Sequence, residues 1–427
     1  MDIYLVGGAV RDQLLNRHVK DNDYLVVGST VEEMLSLGFS QVGKDFPVFL
    51  HPQSKEEYAL ARTEKKQGQG YTGFSCYAAP DVTIEEDLLR RDLTINAMAT
   101  DRNGNIIDPY KGQKDLKDKK LRHVSSAFVE DPLRVLRVAR FAARYHGYGF
   151  SVAEETLTLM TQIAESGELN TLTPERIWQE MQLTLSEGGN DGADSSVFFE
   201  VLHQCKALKA LWPELHALWG IPNPAKWHPE ICSGIHTMMV LQQAVKLTNT
   251  SEFINNNAVK VAIRFSALCH DLGKGITPKN LLPSHKGHET TGLPLVELAC
   301  LKFKVPTQCK QLALKVCEFH LHSHKAFELK ASTILKVFDR LDVWRKPEEF
   351  HYFMLACKSD FLGRLGFEEK AYPQEDYLKE AMLEARKVQA KTFIEQGIKG
   401  AYIKEHLTQA RLNAIKQVKN QLNLTGN

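Results

Sequence analysis

The sequence predicts an α+β chain: a small head with a mixed β-sheet over residues 1–125, followed by an elongated all-α body. Short runs of β-forming residues, each closed by glycine or polar residues, are confined to the head. From about residue 130 apolar positions recur at helical spacing, with few strand signals. At 427 residues the chain is long enough for about three domains at roughly 150 residues each.

In the head, Ile3-Tyr4-Leu5-Val6 is a short apolar run stopped by Gly7-Gly8, a strand entering a turn; Val10 to Leu15 then reads as helix. Asp23-Tyr24-Leu25-Val26-Val27-Gly28 is a second strand, and Phe46 to His51 and Glu57 to Arg62 are two more. The Gly/Lys/Gln-rich stretch from Arg62 to Phe74 is expected to be a mobile loop. In the body, Ser186 to Gly192 is a loop, Ile221-Pro222-Asn223-Pro224 a boundary, and the Asn-rich stretch from Leu247 to Asn257 a surface insertion.

Composition removes several classes. Hydrophobic residues at 43% and charged residues at 25% exclude a disordered chain, and no apolar run of about 18 residues exists to cross a bilayer. Lys+Arg (53) balances Asp+Glu (52), which excludes a uniformly basic coat while leaving room for local patches. Cys76, Cys205, Cys232, Cys269, Cys300, Cys309, Cys317 and Cys357 form no C-x-x-C pair. With an N-terminus that does not read as a secretion signal, they are expected as free thiols in the cytoplasm.

Three clusters in the first 145 residues carry chemistry. Gly7-Gly8-Ala9-Val10-Arg11-Asp12 places two glycines between a strand and a helix, so that backbone N–H groups and Arg11 can approach a phosphate; a plain turn has the same pattern. Asp21 and Asp23 share one face if the segment is extended, a spacing that suits two hard cations, although two surface acids would look alike. Glu57 opens a later strand as a candidate third carboxylate. Arg90-Arg91, before Asp92 and an apolar run, can hold triphosphate oxygens, although a solvated basic turn explains one of the two as well.

The third cluster runs from Glu130 to Arg144. Pro132 suits a first helical turn, and Glu130 and Asp131 suit its positive end. Asp131, Arg134, Arg137 and Arg144 then fall near one stripe, with Arg140 at its edge. A charge stripe is often only a solvated face. Here it offers more: cytosine and adenine both present a ring-nitrogen acceptor beside an amino donor, so an Asp–Arg pair can accept those two bases and reject uracil and guanine without a template.

Taken in order, Leu5-Val6-Gly7-Gly8-Ala9-Val10-Arg11-Asp12, Asp21-x-Asp23, Arg90-Arg91-Asp92-Leu93-Thr94-Ile95-Asn96-Ala97 and Glu130-Asp131-x-x-Arg134-x-x-Arg137 resemble the class II tRNA nucleotidyltransferase/poly(A) polymerase family. Within it, the sequence is most similar to bacterial CCA-adding enzymes with an appended HD domain. The resemblance implies a polymerase-β-like head that adds C, C and A to the tRNA 3′ end from CTP and ATP. It further implies Mg²⁺ at Asp21 and Asp23, nucleotide contacts from Gly8, Arg11, Arg91, Arg137 and Arg140, and base reading by Asp131 and Arg134. Glu57 aligns with the family's third carboxylate less securely.

The body holds a second pattern. Arg264 to Lys274 is an apolar helix ending in His270-Asp271 and a glycine stop; His236 lies upstream, and His285, His288 and His320 follow. Taken alone, a His-Asp pair is as well explained by a hydrogen-bonded core histidine and a capping acid. The set resembles the HD phosphohydrolase pattern, which implies His236, His270 and Asp271 as metal ligands, with Asp360 as the last and Asp339 as its alternative. Imidazole and carboxylate together suit a transition metal such as Ni²⁺. A metal held there can activate water toward a phosphate monoester or a 2′,3′-cyclic phosphate. His322, His324 and His351 are expected to be surface or core residues, and Trp227-His228-Pro229-Glu230 to be structural.

The expected divisions are a nucleotidyltransferase head at 1–125, a base-recognition neck and body region at 126–224, an HD domain at 225–345, and a helical tail at 346–427 that helps complete the HD site and touches tRNA. The expected partners are tRNA, CTP and ATP, with no membrane, in a monomer or homo-oligomer. Two rival readings are a poly(A) polymerase, disfavoured by the absence of a basic C-terminal tail, and an HD phosphohydrolase with an inert head, disfavoured by Asp21 and Asp23. A non-catalytic RNA-binding protein is a third.

Overall fold

The computed structural model describes residues 1–19, 21–42, 47–66, 74–226 and 229–424. Two compact units emerge: Met1–Met181 with Asp191–Leu211, and Gln182–Asn190 with Trp212–Asn427.

The first unit is built on β1 (Asp2–Val6), β2 (Asp23–Val27), β3 (Ser40–Val42), β4 (Val48–Leu50) and β5 (Glu57–Leu60), with β6 (Thr63–Lys66) and β7 (Phe74–Tyr77) as a separate pair, then β8 (Ala99–Thr100) and β9 (Ile106–Ile107). The main sheet has the order β3-β4-β5-β2-β1-β8-β9. It is mixed because β2 pairs with β5 in parallel while β1 pairs with β2 antiparallel. Alternation along β2 serves both faces: Leu25 packs with Val6, Leu88 and Ala97, whereas Val26 packs with Met34, Phe49 and Leu60.

Three expectations shift here. The helix after β1 starts earlier than the apolar run, at Gly8–Leu14. The strand expected over 46–51 is Val48–Leu50, with Phe46 outside the described residues. The stretch expected as a loop from Arg62 to Phe74 holds β6, which pairs with β7 in antiparallel register from Thr63↔Tyr77 to Lys66↔Phe74. Main-chain pairing fixes that hairpin where side-chain composition signalled a loop; residues 67–73 lie outside the description.

The helix Leu133–Arg144 follows Pro132 and buries Leu133, Leu136, Ala139 and Ala143, the apolar face of the sequence pattern. In the second unit, helices Ser233–Thr248, Asn257–Cys269, Thr307–His324 and Pro347–Leu362 pack together; they carry His236, His320, His324 and Asp360, and His270 caps the second of them. Gly273 permits a close approach: a Cβ there would overlap the carbonyl oxygen of His288, so only glycine lets the short helix His288–Thr291 sit against this segment. Among the described residues, no helix is long and apolar enough to cross a membrane. All eight cysteines are free.

Candidate functional site: an arginine-lined cleft and a buried histidine–aspartate cluster

The first unit encloses a cleft of about 660 Å³, within the range of small-ligand sites. Eight arginines and four carboxylates line it: Arg11, Arg62, Arg90, Arg91, Arg134, Arg137, Arg144 and Arg176 with Asp23, Glu57, Asp92 and Asp131. Such an excess of guanidinium suits a polyanion like a triphosphate.

Gly7 takes φ +67°, and a Cβ there would lie 2.7 Å from Arg91 Nη1. Any other side chain would therefore strain the turn and push that arginine out of place. Arg11, 4% exposed, is fixed by Asp12 at 2.9 Å, by Asn96 Oδ1, and by the ring of Tyr145 at 5.2 Å. Arg90 and Arg91 share the buried carboxylate of Asp87, at 2.6 and 3.2 Å. Burial would raise the Asp87 carboxyl, but the two guanidiniums hold it below its ordinary value.

Asp23 and Glu57 face each other in parallel register as the first residues of β2 and β5. Both are exposed, and both line the cleft. Asp23's carboxyl is raised, first by its enclosure in the cleft and then by Glu57 and Asp21, against the lowering effect of Arg91. Asp21 is close enough to act on it, yet sits outside the strand and is not among the lining residues. Neighbouring carboxylates, one of them raised by the others, are a fit for hard divalent cations, which would relieve that repulsion.

Also lining the cleft, Arg137 holds Asp92 at 2.7 Å, and Arg134 donates to the backbone carbonyls of Ala127 (2.9 Å) and Arg90 (2.6 Å). Asp131 caps Leu133 N–H at 3.1 Å and pairs with Arg176 at 3.3 Å. Asp131 and Arg134 thus both line the cleft, each held by its own partners. Arg140 departs from expectation: it is buried, binds Glu180 at 2.6 Å, and does not line the cleft. The helical rotation that sets Arg137 and Arg144 on the cleft turns Arg140 aside. Arg176 and Arg144 line the cleft instead. Arg144 was legible as part of the stripe; Arg176 comes from another helix, and nothing in its local sequence pointed here.

In the second unit two buried groups of metal-ligating type lie side by side: His236, His270 and Asp360, and Asp271, His288 and His320. His236 Nε2 lies 3.1 Å from Asp360 Oδ1, and His270 Nε2 lies 3.8 Å from the same oxygen and 3.1 Å from Asp271 Oδ2. His270 Nε2 and Asp271 Oδ1 make no well-formed hydrogen bond despite these neighbours. Buried ligand atoms aimed at a shared point rather than at one another fit a metal ion. Burial would lower His270, but the carboxylates of Asp271 and Asp360 raise it.

Asp360, rather than Asp339, is the carboxylate brought to His236 and His270; Asp339 accepts from Trp344 Nε1 at 2.6 Å elsewhere. His324 corrects the expectation of a surface or core residue. Its Nε2 meets Asp360 Oδ2 at 2.6 Å, and its Nδ1 lies 3.0 Å from the Tyr372 hydroxyl, so it fixes the carboxylate. Helical spacing of four from His320 was the signal for it. Glu230 Oε1 lies 2.9 Å from His236 Nδ1. Trp227 and His228 lie outside the described residues. His285 binds the Pro222 carbonyl at 2.9 Å, and His351 pairs with Glu252 at 3.1 Å.

Three family models match the chain: the poly A polymerase head domain at residues 3–122, a probable RNA- and SrmB-binding site of polymerase A at 149–218, and the HD domain at 234–344. A multifunctional CCA protein of Pseudoalteromonas atlantica is 57% identical over 97% of this chain and 99% of its own length. Another, of Mannheimia succiniciproducens, is 56% identical over 99% and 98%. Among solved structures, a CCA-adding enzyme in an apo form matches at TM-score 0.64 and 20% identity, over 100% of this chain and 92% of that one. The Thermotoga maritima CCA-adding enzyme complexed with tRNA matches at TM-score 0.60 and 19% identity, over 99% and 91%. At such identities these two show a shared fold. Identity above half over nearly the full length of both partners is a stronger statement, and by it the chain belongs to the family of multifunctional CCA proteins.

Proposed function

We propose that this enzyme adds and repairs the 3′-terminal CCA of tRNA from CTP and ATP without a template, and that its helical body carries a separate metal-dependent phosphatase and 2′,3′-cyclic phosphodiesterase. The observation that carries the first part is one cleft lined together by the carboxylates Asp23, Glu57 and Asp131, by Arg134 and by seven further arginines.

Asp21, Asp23 and Glu57 would hold the divalent ions, which we take to be Mg²⁺; bound there, they supply charge neutralisation and alignment for phosphoryl chemistry. Gly8, Arg11, Arg91 and Arg137 bind the triphosphate. Arg140, tied to Glu180, steadies the helix that presents Arg137. The Asp131 carboxylate accepts from the base amino group, and Arg134 donates to the ring nitrogen, so cytosine and adenine fit and uracil and guanine leave both groups mismatched. The tRNA 3′-hydroxyl oxygen bonds to the α-phosphorus as the bond to the bridging oxygen breaks and pyrophosphate leaves.

His236, His270, Asp271 and Asp360 would hold the body's metal, which we take to be a transition ion such as Ni²⁺; it supplies Lewis acidity toward a phosphate ester. The body then clears damaged 3′ phosphates and the head rebuilds the end. The free cysteines agree with action in the cytoplasm. The functional divisions remain the head at 1–125, the base-reading region at 126–224, the HD domain at 225–345, and a tail at 346–427 that contributes Asp360.

The test is to incubate the chain with tRNA ending before its CCA, with Mg²⁺, CTP and ATP, and to sequence the product. Three added residues in the order C, C, A support the reading; a long A tract, or tRNA binding without turnover, overturns it.

A further inference from the structure

We propose that Tyr145 is a positioning residue for the incoming nucleotide: its ring steadies the Arg11 guanidinium in the orientation that presents two N–H donors to phosphate oxygens. This rests on the reading above of Arg11 as a triphosphate ligand. A guanidinium carries five N–H donors in one plane. In Arg11 three are taken: Nε and Nη2 donate to Asp12 at 2.9 and 3.0 Å, and Nη1 donates to Asn96 Oδ1. Among the described residues, one donor is left on each of Nη1 and Nη2.

Arg11 lines the cleft beside Gly8, and a Cβ on Gly8 would lie 3.3 Å from Arg11 Nη2. The missing side chain keeps the approach to that nitrogen open. A planar group held only at its edges still rocks about its hydrogen bonds, and rings packed against it stop the motion. Arg11 Cζ sits over two rings, Tyr145 at 5.2 Å and Phe141 at 5.5 Å.

These two rings make one support. Phe141 and Tyr145 lie one turn apart at the end of the helix Leu133–Arg144, with planes 3° apart and centroids 6.0 Å apart. Tyr145 N–H donates to the Phe141 carbonyl at 2.9 Å. The Tyr145 side chain is fully buried and meets Phe150 at 5.5 Å. It also lies under Arg17 at 5.2 Å, itself anchored on Asp191 at 2.9 Å. The Tyr145 hydroxyl reaches Asp12 Oδ1 only at 3.4 Å, so the ring rather than the hydroxyl supports Arg11. Tyr145 is not among the residues lining the cleft, whereas Phe141 and Arg11 are. Its effect on a nucleotide therefore passes through Arg11 to the phosphates and leaves base choice to Asp131 and Arg134.

The experiment compares the full-length wild type with Tyr145→Phe, Tyr145→Leu, Arg11→Ala and the Tyr145→Leu/Arg11→Ala double variant. It reads CTP affinity by equilibrium dialysis, and KM and kcat for CTP on tRNA ending before its CCA. Tyr145→Phe keeps the ring and is expected to bind CTP within about twofold of wild type. Tyr145→Leu is expected to weaken CTP affinity and raise KM by about tenfold, the size of a desolvated cation–π contact, with kcat within about twofold and the preference for CTP over UTP unchanged. Added to Arg11→Ala, Tyr145→Leu should weaken CTP binding no further, because the two side chains act as one. Unchanged affinity in Tyr145→Leu, the same loss on top of Arg11→Ala, a fall in the preference for CTP, or an equal loss in Tyr145→Phe overturns the inference. Should a melting scan show Tyr145→Leu unfolded, Tyr145→Met takes its place with the same expectations. A wild type that binds no CTP refutes the underlying reading of the cleft instead.

Discussion

Arg137 Nε donates to Asp92 Oδ2 at 2.8 Å, joining the helix Leu133–Arg144 to the segment after Arg91 on the cleft wall. Asp92 is 7% exposed. Burial alone would raise its carboxyl, but Arg137, a hydrogen bond from Asn96, and Arg134 hold it well below the usual carboxylate range. The folded value is therefore depressed: the stabilisation is present above the unfolded value of about 3.9 and is lost as pH falls toward the folded one. Asp92→Asn is expected to cost about 1–2 kcal/mol at neutral pH, because it leaves Arg137, itself partly screened by solvent, without its counter-charge. Urea denaturation at pH 7 and at pH 3 checks this; the gap between wild type and variant should narrow at the lower pH.

Asp23 has the opposite sign. Its carboxyl is raised by enclosure and by Glu57 and Asp21, so the folded state favours the protonated form and loses stability as pH rises through that value. Asp23→Asn is accordingly expected to lose CTP and ATP incorporation by at least about a hundredfold, since divalent-ion binding supplies several kcal/mol to such chemistry. Its melting temperature should stay level or rise. A melting scan beside an incorporation assay separates this from simple unfolding, which would lower both.

Arg176 gives a test of base selection. It holds Asp131 at 3.3 Å and lines the cleft. Arg176→Ala is expected to free the Asp131 carboxylate and reduce discrimination of CTP over UTP by about tenfold, or about 1.4 kcal/mol. Competition assays with both nucleotides would show it. An effect on overall rate with unchanged selectivity would assign Arg176 to the phosphates instead.

How far the sequence foretold these sites depends on how local the signal was. Gly7-Gly8, the Asp21–Asp23 spacing and the 131–144 stripe were readable because each lies within one turn, strand or helix, where period alone sets the facing. The Asp23–Glu57 pairing needed strand register, which depends on which strands become neighbours. Arg140's placement was hidden for a complementary reason: its type matched the cleft, but its partner, Glu180, comes from a helix remote in sequence. The hairpin of β6 and β7 was hidden because polar composition masked main-chain pairing. In the body, His-Asp was visible, whereas the choice of Asp360 over Asp339 and the use of His324 required the packing of the helices Thr307–His324 and Pro347–Leu362.

The two activities should separate by mutation and by chelation. His270 and Asp271 lie at the end of the helix Asn257–Cys269, buried among His236, Asp360, His288 and His320. The carboxylates of Asp23 and Glu57 open two paired central strands of the sheet in the other unit. His270→Ala and Asp271→Ala are expected to lower hydrolysis of p-nitrophenyl phosphate and of a 2′,3′-cyclic nucleotide by at least about a hundredfold, the loss associated with disrupting a metal's ligand shell. CTP incorporation should stay within about twofold of wild type, since the two sites belong to separate compact units with no shared ligand residues. Asp339→Ala, which removes the acceptor for Trp344 Nε1 and a charge near Arg411 but no member of the cluster, should leave hydrolysis unchanged. Removing metal with a chelator and restoring Mg²⁺ alone should recover incorporation but not hydrolysis, because histidine-rich ligands favour a transition ion over Mg²⁺. Recovery of both activities with Mg²⁺, or loss of incorporation in the His270 variant, would refute the division of labour between head and body.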